Sequence, residues 1–231
     1  MAAAMAITDM DVAALRLWQL ISPALPVGAY AYSQGQETAV AAGWIDDEAG
    51  ALDWIGGLAE HSVARLDLPV LQRLYGAWQA ENDAQLLHWS RFLLASRESS
   101  EIRAEDQHLG RALARLLVDL DVTQAEAWRQ HPALNYPLMF SLAAVHWHIE
   151  LRQCLAGYLW AWCENQVAAA IKLVPLGQTA GQRLLSTLIE KIPAWVDNAI
   201  ALDDEAIGVL CPGLAMASAR HETQYSRLFR S

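Results

Sequence analysis

The chain has 231 residues, of which 54% are apolar and 18% charged, and its formal net charge is −10. This acidic balance, with no run of Lys or Arg to override it, argues against nucleic-acid phosphate or an anionic membrane as the partner. So apolar a chain with so few charges points to surface shared with another protein, in an oligomer or a complex.

Cys154, Cys163 and Cys211 form an odd set without CxxC spacing and are expected to be reduced and mostly buried. The Ala-rich start, Met1 to Ile7, lacks the basic region of a signal peptide. The longest apolar span, Cys154 to Ile171, is interrupted by Glu164, Asn165 and Gln166, so a cytoplasmic location is expected.

Helical periodicity runs through the sequence, and no Asn-Gly or Asp-Gly hairpin signal appears. The spacing predicts helices over 11–21, 34–42, 47–64, 68–81, 84–96, 98–119 and 123–129. A second group covers 137–151, 153–170, 178–190, 194–201 and 214–229. Leu109, Leu113, Leu116, Leu117 and Leu120 mark one core stripe in 98–119. Proline biases Ser22–Gly28 and Leu173–Gly177 away from helix. Ser33 and Gln36 fit a capping box at the start of the second helix, which Gly43 stops. The expected class is all-α, one compact domain over 1–231 of about ten to twelve helices, with 214–231 as a partner-docking segment.

Catalytic patterns fail one by one. Gly177-Gln178-Thr179-Ala180-Gly181-Gln182 lacks P-loop spacing and a lysine. On a helix His146 and His148 point about 200° apart and cannot share an ion, so they read as structural histidines. A metal-dependent hydrolase built on His146, His148 and Glu150 is therefore the weaker alternative. His221-Glu222 opens like HExxH but lacks the second histidine, and no GxSxG elbow occurs. Glu101, Glu105 and Asp106, beside Arg97 and Arg103, read as a solvated face with i,i+4 ion pairs. The tryptophans, Trp160 and Trp162 among them, read as core.

The tail differs. On a helix, His221, Tyr225 and Phe229 would make an aromatic ridge joined by Leu228, while Arg220, Arg227 and Arg230 make this end locally basic. Tyr and Arg are the residue types that anchor protein interfaces. A helical scaffold unrelated to any metal pathway is one reading of such a segment.

Four stretches carry a more specific resemblance. Ser22 through Gly35, Arg97-Glu98 through Glu105-Asp106, Lys172 through Gln182, and His221 through Phe229 together resemble the UreF family of urease accessory proteins. The resemblance implies an all-helical homodimer that sits on a UreD (UreH) accessory protein and recruits the UreG GTPase. Together they would insert nickel into apo-urease, this chain having no catalytic residue, metal site or cofactor of its own. By position it implies partner-binding roles for Tyr30, Tyr32, Ser33 and Glu37; for Lys172, Gln178 and Gln182; and for Arg220, His221, Glu222, Gln224, Tyr225 and Arg227. Gln36 departs from the family pattern, which usually has an apolar residue before Glu37. Charge and position further suggest that Arg227 pairs with Glu37 or bonds Tyr32, coupling the tail to the N-terminal turn.

Overall fold

The computed structural model describes residues 12–209 and 211–231. The reading of Met1–Ile7, and the first residue of the helix expected from 11, lie outside them. The described residues form ten α-helices and no strand: α1 Val12–Leu20, α2 Gln36–Ala41, α3 Glu48–Leu58, α4 Leu68–Gln79, α5 Asp83–Ala95, α6 Ser100–Asp119, α7 Tyr136–His146, α8 Leu151–Leu173, α9 Gln178–Ile200 and α10 Pro212–His221. None is long and apolar enough to cross a membrane.

Starts are set by side chains that satisfy the first free N–H groups. Asp47, Asn82, Ser99 and Asn135 accept from the backbone N–H three residues on, at 2.7–3.1 Å. Left-handed residues set two ends. Gly43 (φ 72°) and His148 (φ 55°) each let the next residue donate back to the fifth carbonyl before it, Trp44 to Ala39 and Ile149 to Ala144. Gly43 thus stops α2 as expected, whereas α7 ends well short of 151 because His148 turns the chain.

Two predicted breaks, at 65–67 and 191–193, are bridged. Between α3 and α4 the chain winds wider, as a π-helical stretch over Ala59–Asp67 in which Leu68 donates to the Val63 carbonyl. Pro69, which has no N–H to give, follows within this continuous rod. At Pro193 the helix simply continues, joining the expected 178–190 and 194–201 into α9. An interior proline costs roughly 3 kcal/mol. The buried stripe Leu184, Leu188, Ile192, Trp195, Val196 and Ala199 spans both sides of it, and one such large side chain recovers about 1.5–3 kcal/mol.

The core lies where α4 packs on α5 and α7, α6 on α7, and α8 on α9. Leu109, Leu113 and Leu117 are buried as the periodicity demands, while Leu116 and Leu120 are half-buried. Gly110 lets α6 meet the start of α7: a Cβ there would stand 2.6 Å from the Asn135 carbonyl carbon. Cys154 and Cys163 are buried and Cys211 half-buried, all unpaired.

Candidate functional site: the junction of the tail and the N-terminal turn

The largest departure from expectation is at the tail. Helix α10 ends at His221, and residues 222–231 run as extended and bent chain, so the helix expected over 214–229 does not form beyond its first half. The aromatic ridge goes with it: His221 and Phe229 are buried, and Tyr225 stands fully exposed. Leu228 and Arg230 point out while Phe229 and Ser231 point in, the alternation of an extended segment.

The competing interaction is Glu37. Its Oε1 accepts the Leu228 N–H at 2.8 Å and the Gln224 amide at 3.3 Å, and its Oε2 accepts the Phe229 N–H at 2.9 Å. A buried carboxylate held by backbone N–H groups makes charge-assisted bonds that a helical tail could not supply. His221 sits between two acids, Nδ1 at 2.7 Å from Glu101 and Nε2 at 3.5 Å from Glu37. The segment then runs beside residues 31–33, Arg230 N–H donating to Ala31 and Ser33 N–H to Ser231.

Ser33 is used differently from a capping box. Its hydroxyl donates to the Ser231 backbone oxygen at 2.6 Å, and Gly35, left-handed at φ 78°, occupies the cap position. A Cβ on Gly35 would lie 3.0 Å from that of Ala217, so α10 packs close only because this residue is glycine. Gln36 is fully buried, and neither polar atom of its side chain has a protein partner among the described residues. An apolar side chain, as the resemblance leads one to expect before Glu37, would fit this environment.

Arg227 pairs with neither Glu37 nor Tyr32. Its Nη1 donates to Glu101 Oε1 at 2.7 Å and its Nε to the Gln224 carbonyl at 3.0 Å, while Nη2 bonds the Glu222 carbonyl. It reaches Glu37 indirectly, through the shared Glu101–His221 pair and through Gln224, whose side-chain amide donates to Glu37. Tyr32 instead has its hydroxyl 3.2 Å from His108 Nδ1.

The acidic face expected on α6 is not solvated. Glu105 and Asp106 are buried, and Arg97 lies between Asp106 (2.6 Å) and a bidentate Asp67 (2.6 and 3.1 Å), with the Tyr158 hydroxyl 3.2 Å from Asp67. Burial pushes the Asp106 carboxyl up in spite of Arg97. Glu105 accepts from the Gln34 amide and the Ser231 hydroxyl, both at 2.8 Å, and Gln34 in turn accepts from Trp162 at 2.8 Å. Burial raises the Glu105 carboxyl from 4.5 to about 7, with Asp106 adding to the rise and the two hydrogen bonds and Arg97 opposing it.

That shift has a sign. A carboxyl raised in the folded state contributes stability below its unfolded value of 4.5, and loses it as pH rises toward 7. A Glu105→Gln variant, which keeps the shape and cannot ionise, is therefore expected to match the parent near pH 4. At pH 8 it should gain about 1–3 kcal/mol in urea unfolding. Equal effects at both pH values would contradict the assignment.

The structure brings Tyr32, Ser33, Glu37, His221, Gln224 and Arg227 into one junction. Glu222 joins it by accepting from Ser100 at 2.6 Å, and the Lys172 ammonium lies over the Phe229 ring at 5.6 Å. Arg220 stacks instead on Trp44, and Tyr30 is exposed nearby. Gln178 and Gln182 stand exposed on the first turns of α9, with no side-chain hydrogen bond to the junction among the described residues. The sequence reading missed Asp67, His108 and Ser231 and misplaced Glu101 and Glu105. The one signal available was the i, i+4, i+7 spacing of Glu101, Glu105 and His108, a single stripe of α6.

His146, His148 and Glu150 are exposed, and no group of three metal-ligating side chains occurs among the described residues. Burial raises both interior thiols, Cys163 to about 12 and Cys154 further, which keeps them unreactive at neutral pH.

Fold and junction together define an all-helical protein whose buried polar groups hold a segment of its own chain in place. The family follows from comparison. The UreF family model matches residues 45–189. The urease accessory protein UreF of Alkalilimnicola ehrlichii is 52% identical over 224 residues, 97% of this chain and 98% of that one. The proteins of that name from Pseudomonas putida strain GB-1 and Hahella chejuensis are 51% and 48% identical, covering 96% and 95% of this chain and 100% and 98% of theirs. The chain belongs to the UreF family of urease accessory proteins.

Proposed function

We propose that this protein is the adaptor of a cytoplasmic urease-maturation complex. It binds a UreD (UreH) type accessory protein and recruits and regulates the UreG GTPase while nickel is inserted into apo-urease. The nickel is cargo, and the GTP chemistry belongs to the partner.

The observation that carries this reading is the ordered tail. Glu37 fixes its backbone, and Tyr225 and Leu228, at full and 65% exposure, face solvent beside Arg227. Exposed aromatic and aliphatic side chains on a pre-organised backbone bind a partner without a further ordering cost. Tyr30, Lys172, Gln178, Gln182 and Arg220 extend the proposed surface. On α1, the exposed Val12, Leu15 and Trp18 offer an apolar face for a second copy, in keeping with a homodimer.

Arg227→Ala removes the bonds to Glu101 and to the two tail carbonyls and leaves the core untouched. The variant is expected to stay folded by circular dichroism yet retain UreG at least tenfold less in a pull-down of the co-expressed proteins. UreG recovery equal to the parent's would contradict the assignment.

A further inference from the structure

One open groove, of about 840 Å³, is lined without a single carboxylate on a chain whose net charge is −10. The loop Pro26–Gly28 forms one wall, and helix α6 with the segment after Trp128 forms the other. Arg111, Arg115, Arg129 and Arg230 face it, together with His108 and Tyr30. Arg129 has a surface ion pair with Glu126 at 3.0 Å, whereas Arg111, Arg115 and Arg230 have none among the described residues.

These cations are placed by the fold. Leu113 and Leu117 are fully buried, which forces Arg111 and Arg115 to the opposite side of α6. The groove floor is fixed where the Tyr32 hydroxyl meets His108, and Arg230 is brought in by its own N–H bond to Ala31 at 2.8 Å. The groove is therefore complete only when the tail is docked.

Unpaired guanidiniums held side by side are a recognition surface for anions, and the rest of the chain restricts which anion fits. A nucleic acid carries phosphate charge well past the groove, onto the rest of a chain whose net charge is −10. A short acidic segment places its charge only where the arginines are. Arg111 and Arg115 are one helical turn apart, about 5–6 Å. Alternate side chains of an extended chain repeat at about 6.4–6.8 Å, within reach of flexible arginines. Tyr30, 70% exposed at the rim, supplies an aromatic contact for a neighbouring residue of the segment.

We propose that this arginine-lined groove binds an extended acidic segment of a partner protein, with Arg111 and Arg115 taking carboxylates at alternate positions. The assignment stands independently of nickel delivery.

The test is fluorescence anisotropy of the full chain with a labelled ten-residue peptide of alternating Glu and Ser. Saturable binding is expected at low ionic strength, weakening as salt is raised. It should weaken at least tenfold further in Arg111→Glu/Arg115→Glu. The control Arg65→Glu/Arg91→Glu changes net charge equally at exposed positions outside the groove, and should bind within twofold of the parent. Matching melting temperatures would show that all three proteins are folded. Four results would overturn the proposal. These are no saturable binding, an equal loss in the control, equal affinity for a peptide with its five Glu in one block, and displacement by pyrophosphate at peptide-like concentrations. The last would make the groove a phosphate site.

Discussion

Glu37→Ala is expected to release the tail. Two backbone N–H bonds at 2.8 and 2.9 Å, the Gln224 amide and one side of His221 all end on this carboxylate. Hydrogen bonds to a charged group contribute about 1.5–3 kcal/mol each. Solvent can rehydrate a released tail, so losing the two backbone bonds should shift docking by about 3–4 kcal/mol. That is roughly two to three powers of ten in the docked-to-released ratio. Amide exchange at Leu228 and Phe229 should accelerate by that factor while exchange in α4 and α7 is unchanged. Glu37→Gln should show a smaller effect of the same kind, because one of its two oxygens becomes a donor. Protection of both amides at parental levels in Glu37→Ala would mean that other contacts hold the tail.

Arg97→Ala is expected to have the largest effect on stability. It leaves Asp67 and Asp106, each only 7% exposed at the side chain, facing each other without a cation. Removing one member of a buried ionic cluster costs about 3–5 kcal/mol, because the remaining charge has lost its compensation. Urea unfolding should show this loss as a lower midpoint at unchanged slope. The combined replacement Asp67→Leu, Arg97→Met, Asp106→Leu should recover most of it, since no charge is left buried. This cluster borders a cavity of about 90 Å³, also lined by Glu105, Tyr158 and Trp162, with room for water. Water entering there is the main route by which Arg97→Ala could cost less. A loss under about 1 kcal/mol would place the triad among the surface-like pairs.

Local pattern made most of the helices legible. The leucine stripe of α6 and the stop at Gly43 act within a few residues of where they are read, and the caps at Asp47, Asn82, Ser99 and Asn135, though not singled out in the sequence, are equally local. The misreadings share a cause at longer range. Pro193 looks like a break until the apolar stripe on both sides of it meets α8. Tyr225 and Phe229 have helical spacing, yet Glu37, nearly two hundred residues earlier, offers the tail backbone better acceptors than its own carbonyls. Glu105 looks like a surface acid because nothing local reveals that Gln34 and Ser231 close over it. The junction was legible as a set of residue types at both ends of the chain. Its wiring, with Glu101 and His221 standing between Arg227 and Glu37, was not.

The adaptor role itself is tested most directly by co-expressing the chain with a UreD-type protein and UreG, then running size-exclusion chromatography. The account predicts one co-eluting complex containing all three, able to activate apo-urease when nickel and GTP are supplied. Elution of UreG apart from a complex of the other two, with the chain folded and its tail amides protected, would contradict it.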